Sequence, residues 1–249
     1  MNELKYIKYA DKVDNQVVRT FQIPVKRASR RKRIDKMRQR RVKNERERVL
    51  SYQEYLVINA KDFKDKWHSY FDNNKEIHIE IGCGKGKFIT SLAEINPDIN
   101  YIAIEPIGSI LLRVLEKAEL KNLQNIGCVW EFADYISEYI GENEISRIYL
   151  NFSDPWPKAR HAKRRLTHRN FLNAYKQILK PGGIIQFKTD NIDLFNFSLE
   201  EFKACDFRLE DITNDLHQEN IENILTEYEE KFTNWGMKIN YCKAILDKK

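Results

Sequence analysis

From Ile77 onward short apolar runs alternate with longer amphipathic stretches, and the first run leads into three glycines: Ile77-His78-Ile79-Glu80-Ile81-Gly82-Cys83-Gly84-Lys85-Gly86. A strand that enters a glycine turn and leaves as a helix, repeated as strand and helix down the chain, implies an α/β fold with a mostly parallel sheet. Strands are expected at Ile77–Ile81, Tyr101–Ile104, Ile126–Trp130, Arg147–Phe152 and Ile184–Lys188, with further extended segments at Phe207–Ile212 and Ile239–Leu246. Helices are expected at Lys87–Ile95, Ile107–Leu120, Thr167–Leu179, Leu194–Lys203 and Glu222–Phe232. Pro181-Gly182-Gly183 reads as the turn before the fifth strand.

The region before this pattern differs in composition. Residues 1–50 contain no glycine and few apolar side chains, and are expected to form a basic, partly disordered arm ahead of one domain over residues 51–249. Between Lys26 and Arg48 there are 13 Lys or Arg against 3 Asp or Glu, a local +10, so with a total of +6 the remainder sums to −4. Cationic charge concentrated on a mildly acidic body points to a polyanionic partner, nucleic acid before an anionic membrane surface. Tyr52, Tyr55, Leu56, Phe63, Trp67, Tyr70 and Phe71 are expected to pack short helical turns onto the domain. No apolar run approaches a membrane span, and Met1-Asn2-Glu3-Leu4-Lys5-Tyr6 lacks the apolar centre of a signal peptide, so a cytoplasmic location is expected. Cys83, Cys128, Cys205 and Cys242 form no C-x-x-C pair, and the five histidines show no ligand spacing; reduced thiols and no metal are expected.

The glycine loop narrows the ligand. Its G-x-G-x-G spacing lets backbone approach a ligand closely, yet departs from the dinucleotide and Walker A patterns, which disfavours a pyrophosphate. Glu80, just ahead of Gly82, Gly84 and Gly86, repels phosphate and welcomes an ammonium group. Glu105 follows the second strand about 20 residues past the glycines, where a strand-tip carboxylate accepts both ribose hydroxyls. Adenosine with a zwitterionic sulfonium tail meets these demands, which identifies S-adenosylmethionine as the expected cofactor.

A second site candidate is Asn151-Phe152-Ser153-Asp154-Pro155-Trp156-Pro157-Lys158, entered from the strand around Ile148-Tyr149-Leu150. Each proline fixes its own φ and drives the preceding residue, here Asp154 and Trp156, toward an extended form. Trp156 offers either a stacking face or packing beneath the loop. The cationic run that follows, with Arg160, Lys163, Arg164, Arg165 and Arg169, is expected to hold phosphates, which position a nucleic acid without reading it. His161 and His168 receive no catalytic role.

Together the glycine loop, the Asp-Pro-Trp-Pro-Lys run, Lys163-Arg164-Arg165-Leu166-Thr167, Lys188-Thr189-Asp190-Asn191 and Thr226-Glu227-Tyr228-Glu229-Glu230-Lys231-Phe232 resemble the bacterial tRNA (guanine-N7) methyltransferases. The likeness runs from about Met37 to the C-terminus, with Met37-Arg38-Gln39-Arg40-Arg41 resembling the usual start and residues 1–36 preceding it as an extension or a mis-called start. The glycine loop is common to many methyltransferases; the Asp-Pro-Trp-Pro-Lys and Thr-Glu-Tyr-Glu runs in that order are specific. The resemblance implies a Rossmann-like class I methyltransferase fold with a seven-stranded sheet, helices on both faces, and a tRNA partner modified at a guanine of the variable loop. Monomer and homodimer are both open. It further implies that Glu80 and Glu105 bind the cofactor, that Asp154 meets both cofactor and substrate as the catalytic carboxylate, and that Lys158, Asp190, Thr226, Glu227, Tyr228 and Glu229 meet the RNA or the target base. Relatives carry Asp-Ala-Asp near the end of the third strand. Here Phe132-Ala133-Asp134 aligns with it, preceded by Glu131, leaving Glu131, Phe132 and Asp134 as candidates for the adenine contact.

Two other functions compete: a catalytically weak RNA-binding or assembly factor on the same fold, which the departure at Phe132 favours, and a nucleotide-dependent oxidoreductase, which the glycine spacing disfavours.

Overall fold

The computed structural model describes residues 42–233 and 236–247, so the expectations for residues 1–41 lie outside the described residues.

Among the described residues seven strands form one sheet: β1 (Glu76–Ile81), β2 (Ile99–Ile104), β3 (Ile126–Val129), β4 (Ile145–Asn151), β5 (Leu179–Thr189), β6 (Phe207–Thr213) and β7 (Asn240–Leu246), in the order β3-β2-β1-β4-β5-β7-β6. β1 to β5 pair in parallel, while β7 runs antiparallel to both β5 and β6. All seven expected extended segments are thus strands. The helices are α1 (Glu45–Ser51), α2 (Trp67–Phe71), α3 (Lys87–Ile95), α4 (Gly108–Leu120), α5 (Ile136–Tyr139), α6 (Arg169–Ile178), α7 (Ile192–Ala204) and α8 (Glu227–Thr233).

Strand alternation builds a core on each face. In β1, Ile77, Ile79 and Ile81 join one apolar cluster with Ile148 and Leu150 of β4, Ile185 and Phe187 of β5, and Leu172, Tyr175 and Phe195 from α6 and α7. Tyr101, Ala103 and Cys128 face the other way, against Phe88 and Ile89 of α3 and the Leu111, Leu112, Val114, Leu115 and Ala118 stripe of α4. That stripe repeats at helical spacing and is wholly buried. β1 has five of six residues buried, the pattern of a central parallel strand.

Three local features were not expected. The boundary expected after residue 50 falls at the end of α1, which lies on α4 through buried Val49 and the Arg48–Glu116 ion pair (2.9 Å). The four-residue α5 is too short to leave a periodic signature. Pro181-Gly182-Gly183 does not precede β5 but interrupts it: Ile145 pairs with Leu179 and Arg147 with Ile184, so residues 180–183 bulge opposite Ser146, with Gly182 at φ 80°.

The parallel strands bring their C-terminal ends to one edge. The order of the strands reverses between β1 and β4, and in such sheets the crevice outside that switch point is where ligands bind.

Candidate active site

The loop after β1 stands at this edge. Gly82, Gly84 and Gly86 all adopt left-handed φ (72°, 57° and 79°). A Cβ on Gly86 would lie 2.8 Å from Val114 Cγ1, so this glycine is demanded by packing of the loop against α4 as well as by backbone. Gly82 and Gly84 face open space, as close approach of a ligand requires.

Two buried carboxylates flank the glycines. Glu80 accepts a hydrogen bond from Asn151 Nδ2 at the end of β4 (2.7 Å), while its buried Oε2 has no partner among the described residues. Burial raises its pKa to about 8, against the opposing pull of the Asn151 hydrogen bond and the Lys188 charge. Glu105 accepts from the backbone N–H of Gly84 (3.2 Å) and of Ile107 (3.1 Å), tying the tip of β2 to the glycine loop. Burial lifts it to about 7. An unsatisfied buried carboxylate oxygen beside an open glycine turn fits a cationic ligand head, and Glu105 keeps acceptor capacity for hydroxyls. These groups fit the ammonium and ribose of S-adenosylmethionine. Beyond β3, Glu131 is half-buried, Phe132 is 54% exposed, and Asp134 lies exposed on a single 3-10 turn, Ala133–Tyr135.

The proline loop begins where β4 ends. Phe152 adopts φ 49°, held by its N–H donating to the Lys188 carbonyl (2.9 Å) and by its ring against Tyr228 (centroids 5.0 Å apart). Trp156 departs from the extended form expected before proline and sits at φ 42°. Non-glycine residues in this region cost on the order of 1–3 kcal/mol each and persist only where surroundings over-determine them. Arg165 supplies that determination. Its Nε donates to the Pro155 carbonyl and its Nη2 to the Trp156 carbonyl (both 3.1 Å), with the guanidinium 4.3 Å from the Phe197 ring centroid. Arg165, expected at phosphate, is therefore committed to the loop backbone. Arg169 is likewise committed, with Nη2 2.7 Å from Glu201 Oε1, and this partner holds the Glu201 carboxyl below its ordinary range.

Asp154, Lys158, Arg160, Lys163 and Arg164 are exposed, the last three on or beside the 3-10 segment Ala159–Arg164. Trp156 is half-buried: His161 meets its ring edge-on, and the Arg164 guanidinium lies 4.9 Å from its centroid, so it belongs to a cationic surface and not to the core. His168 caps α6, its Nδ1 accepting from Asn170 N–H (3.2 Å).

The Thr226–Glu229 segment sends consecutive side chains to different places. Glu227 accepts from the N–H of Lys87, the first residue of α3 (3.1 Å), and pairs with Lys117 of α4. The Tyr228 hydroxyl donates to Asp190 Oδ2 (2.8 Å). Glu229 is fully buried, 3.0 Å from Lys188 Nζ, and its N–H donates to Thr226 Oγ1 (3.0 Å). The structure thus joins Glu80 to Asn151, Glu105 to the glycines, and Asp190 to Tyr228. Sequence reasoning placed Asn151 and Lys188 at the start of two recognised motifs but gave neither a role; nothing local shows that Asn151 holds Glu80, or that Lys188, in the alternation of a half-exposed strand, is buried.

A glycine turn, two buried carboxylates and a loop carrying an exposed aspartate at the switch point of this sheet are the features of a Rossmann-like methyltransferase. The family model described as "Putative methyltransferase" matches residues 74–242. Proteins named tRNA (guanine-N(7)-)-methyltransferase are 50% identical in Clostridioides difficile, over 84% of this chain and 98% of that protein, and 49% identical in Brevibacillus brevis, over 76% and 89%. The chain belongs to the tRNA (guanine-N(7)-)-methyltransferase family. Among solved structures, the fold is shared with the 16S rRNA methyltransferase KamB (TM-score 0.58, 13% identity, 74% of this chain and 94% of that one). It is also shared with the 16S rRNA (adenine(1408)-N(1))-methyltransferase of Catenulisporales acidiphilia, solved with cosubstrate SAM (0.53, 14%, 74% and 91%).

Proposed function

We propose that this protein transfers a methyl group from S-adenosylmethionine to N7 of a guanine in the variable loop of tRNA, with Asp154 as the carboxylate that orients and stabilises the base. The observation that carries the proposal is the pairing, at one sheet edge, of the half-satisfied Glu80 carboxylate beside an open glycine turn with the exposed Asp154 loop, in a chain about half identical to tRNA (guanine-N(7)-)-methyltransferases.

When bound, S-adenosylmethionine supplies an electrophilic methyl group on a sulfonium. On this reading Glu80 holds its ammonium, Glu105 its ribose hydroxyls, and the exposed Phe132 ring gives the adenine a stacking face, with Glu131 and Asp134 as the polar neighbours. Guanine N7 carries an in-plane lone pair and no proton, so no residue is needed to generate the nucleophile. The protein's contribution is then alignment, which can supply roughly 7–11 kcal/mol of barrier reduction in a closed site. The methylated base is cationic, and a carboxylate beside it stabilises the charge that develops. Asp154 also accepts from guanine N1–H or N2–H, donors that adenine does not offer in that arrangement. A guanine held in the tRNA tertiary structure must be extruded at a cost of a few kcal/mol, and Trp156 supplies a face for it. Lys158, Arg160, Lys163 and Arg164 bind phosphates around the loop, Asp190, Thr226, Glu227 and Tyr228 shape the base site, and Glu229, fully buried against Lys188, supports that segment from beneath. The basic residues of 1–50 add further phosphate contacts, and the protein works in the cytoplasm.

The test is to incubate the protein with unmodified tRNA and S-adenosylmethionine and map modified nucleosides by mass spectrometry. N7-methylguanosine in the variable loop supports the proposal. Tight tRNA binding without methyl transfer would replace it with the RNA-binding factor.

A further inference from the structure

Lys188 of β5 is completely buried, and each of its three ammonium protons has an acceptor. Nζ lies 3.0 Å from Glu229 Oε2, 3.0 Å from Asn223 Oδ1 and 3.1 Å from the Ile224 carbonyl, and 4.8 Å from the centroid of Phe88 in α3. Its partner Glu229 is equally buried, with Oε1 accepting from Asn223 Nδ2 (2.7 Å) and His217 Nε2 at 3.5 Å. A buried ion pair of this kind is weak evidence for stability, because desolvation offsets its attraction, and its best-attested use is to fix one arrangement among alternatives.

What it fixes here is specific. Lys188 lies opposite Asn151 in the β4–β5 register, and Asn151 holds Glu80. The Lys188 carbonyl accepts the N–H of Phe152, the left-handed residue that opens the proline loop. Its ammonium anchors residues 223–229, from which Glu227 reaches the first turn of α3 and Tyr228 reaches Asp190 and the Phe152 ring. One side chain and its own carbonyl therefore touch the supports of the cofactor end, the proline loop and the C-terminal segment.

We propose that Lys188 is a positioning residue that locks the 223–229 segment and the proline loop in register with the Glu80 end, so that methyl donor and acceptor meet in line. The proposal rests on the reading of Glu80 as the cofactor carboxylate. Lys188 touches neither reactant; it sets their relative placement and the charge around Glu80. The groups that act on Glu80 are Asn151 from β4, Lys188 from β5, Glu227 from α8 and Glu105 at the tip of β2, while the Cys83 thiol of the glycine loop is itself raised by burial and by Glu80; Lys188 is the cation among them.

The test uses the double variant Lys188→Met/Glu229→Gln, which removes both charges and keeps side-chain volume, so that neither ion is stranded. Asn223→Ala, at a half-buried position, loosens the same anchor without touching the core. In the full-length protein the double variant is expected to lower kcat at least tenfold while the KM for tRNA changes less than threefold. Asn223→Ala is expected to lower kcat severalfold in the same pattern. The acidic limb of the pH profile for S-adenosylmethionine affinity moves to higher pH in the double variant, because Glu80 has lost its cation; a packing role alone would leave that limb in place. Glu80→Gln is measured alongside. If it weakens cofactor binding while kcat and the pH limb of both anchor variants match the wild type, the positioning role is overturned and the reading of Glu80 stands. If Glu80→Gln binds cofactor as tightly as wild type, the reading of Glu80 falls, and the positioning role with it.

Discussion

The cofactor end and the proline loop lie on one sheet edge and are built by opposite means. Around the glycines the functional groups are buried carboxylates, Glu80 and Glu105, raised by desolvation to about 8 and about 7. In the proline loop Asp154 and the cations after it are exposed, and burial is reserved for the support: Arg165 holds two carbonyls, and Phe152 and Trp156 are kept at positive φ. The contrast follows from the ligands. A small ligand with a cationic head can be enclosed, and a buried carboxyl that ionises fully only when its cation arrives recognises it selectively. A folded RNA cannot be enclosed, so its site must be rigid and remain in solvent.

The sharpest way to break this contrast is at Asp154. Asp154→Ala should reduce methyl transfer by roughly 10²–10³-fold, the usual loss for a group that stabilises transition-state charge, in a steady-state assay with unmodified tRNA. Glu105→Ala should weaken S-adenosylmethionine binding about 10- to 100-fold, as expected for hydrogen bonds to a charged acceptor worth about 1.5–3 kcal/mol. Calorimetric titration reads that loss, and tRNA affinity should be unchanged.

The pH dependence of stability sharpens the cofactor side. A carboxyl whose pKa is raised on folding makes the unfolded state bind fewer protons, so stability falls as pH rises from the ordinary range near 4.5 through about 8. Glu80→Gln removes this cost. Without cofactor, the variant should therefore match wild type below about pH 4.5 and exceed it above pH 8 by on the order of 1–4 kcal/mol, measured by denaturant unfolding across pH. A variant no more stable at high pH would mean that Glu80 is not held as an isolated buried acid.

On the loop side the cations should separate by role. Arg165→Ala should lower unfolding stability by about 1–3 kcal/mol, since the Pro155 and Trp156 carbonyls lose their donor. Lys163→Ala should leave stability within about 0.5 kcal/mol of wild type and flatten the salt dependence of tRNA binding by roughly 0.7–0.9 log units for each phosphate it neutralises in the wild type. If Arg165 and Lys163 behaved alike, the distinction between support and RNA anchor would collapse.

Much of this architecture was legible in the residues, and the exceptions have physical causes. The strands and the four longer helices, α3, α4, α6 and α7, carry apolar periodicity, and the positive φ of Gly82, Gly84 and Gly86 suits their residue type, whereas the helix expected from Glu222 begins only at Glu227, after Asn223 and Ile224 have turned to bind Lys188. Glu80 and Glu105 stand out because strand-tip acids beside a glycine turn have few other uses. Arg165 and Lys188 were not legible as supports. Nothing local separates Arg165 from Lys163 or Arg164 in a basic run; Pro155, Trp156 and Phe197 draw it inward only once the loop closes. Lys188 looks like any polar residue of a strand, and it is buried because residues 223–229 fold over β5, from 35 to 41 positions away. Trp156 departs from its pre-proline preference because Arg165, nine residues on, holds its carbonyl once the loop closes. Burial by remote segments is what single-sequence periodicity cannot register.

The most direct measurement of the division between the two regions is a pair of S-adenosylmethionine titrations, on Glu80→Gln and on Asp154→Ala, each matched to a turnover assay on tRNA. Both variants are expected to lose turnover, Glu80→Gln with at least a tenfold loss of cofactor affinity and Asp154→Ala with a clearly smaller one. Equal loss of cofactor affinity in the two variants, or full turnover by Asp154→Ala, would contradict this division.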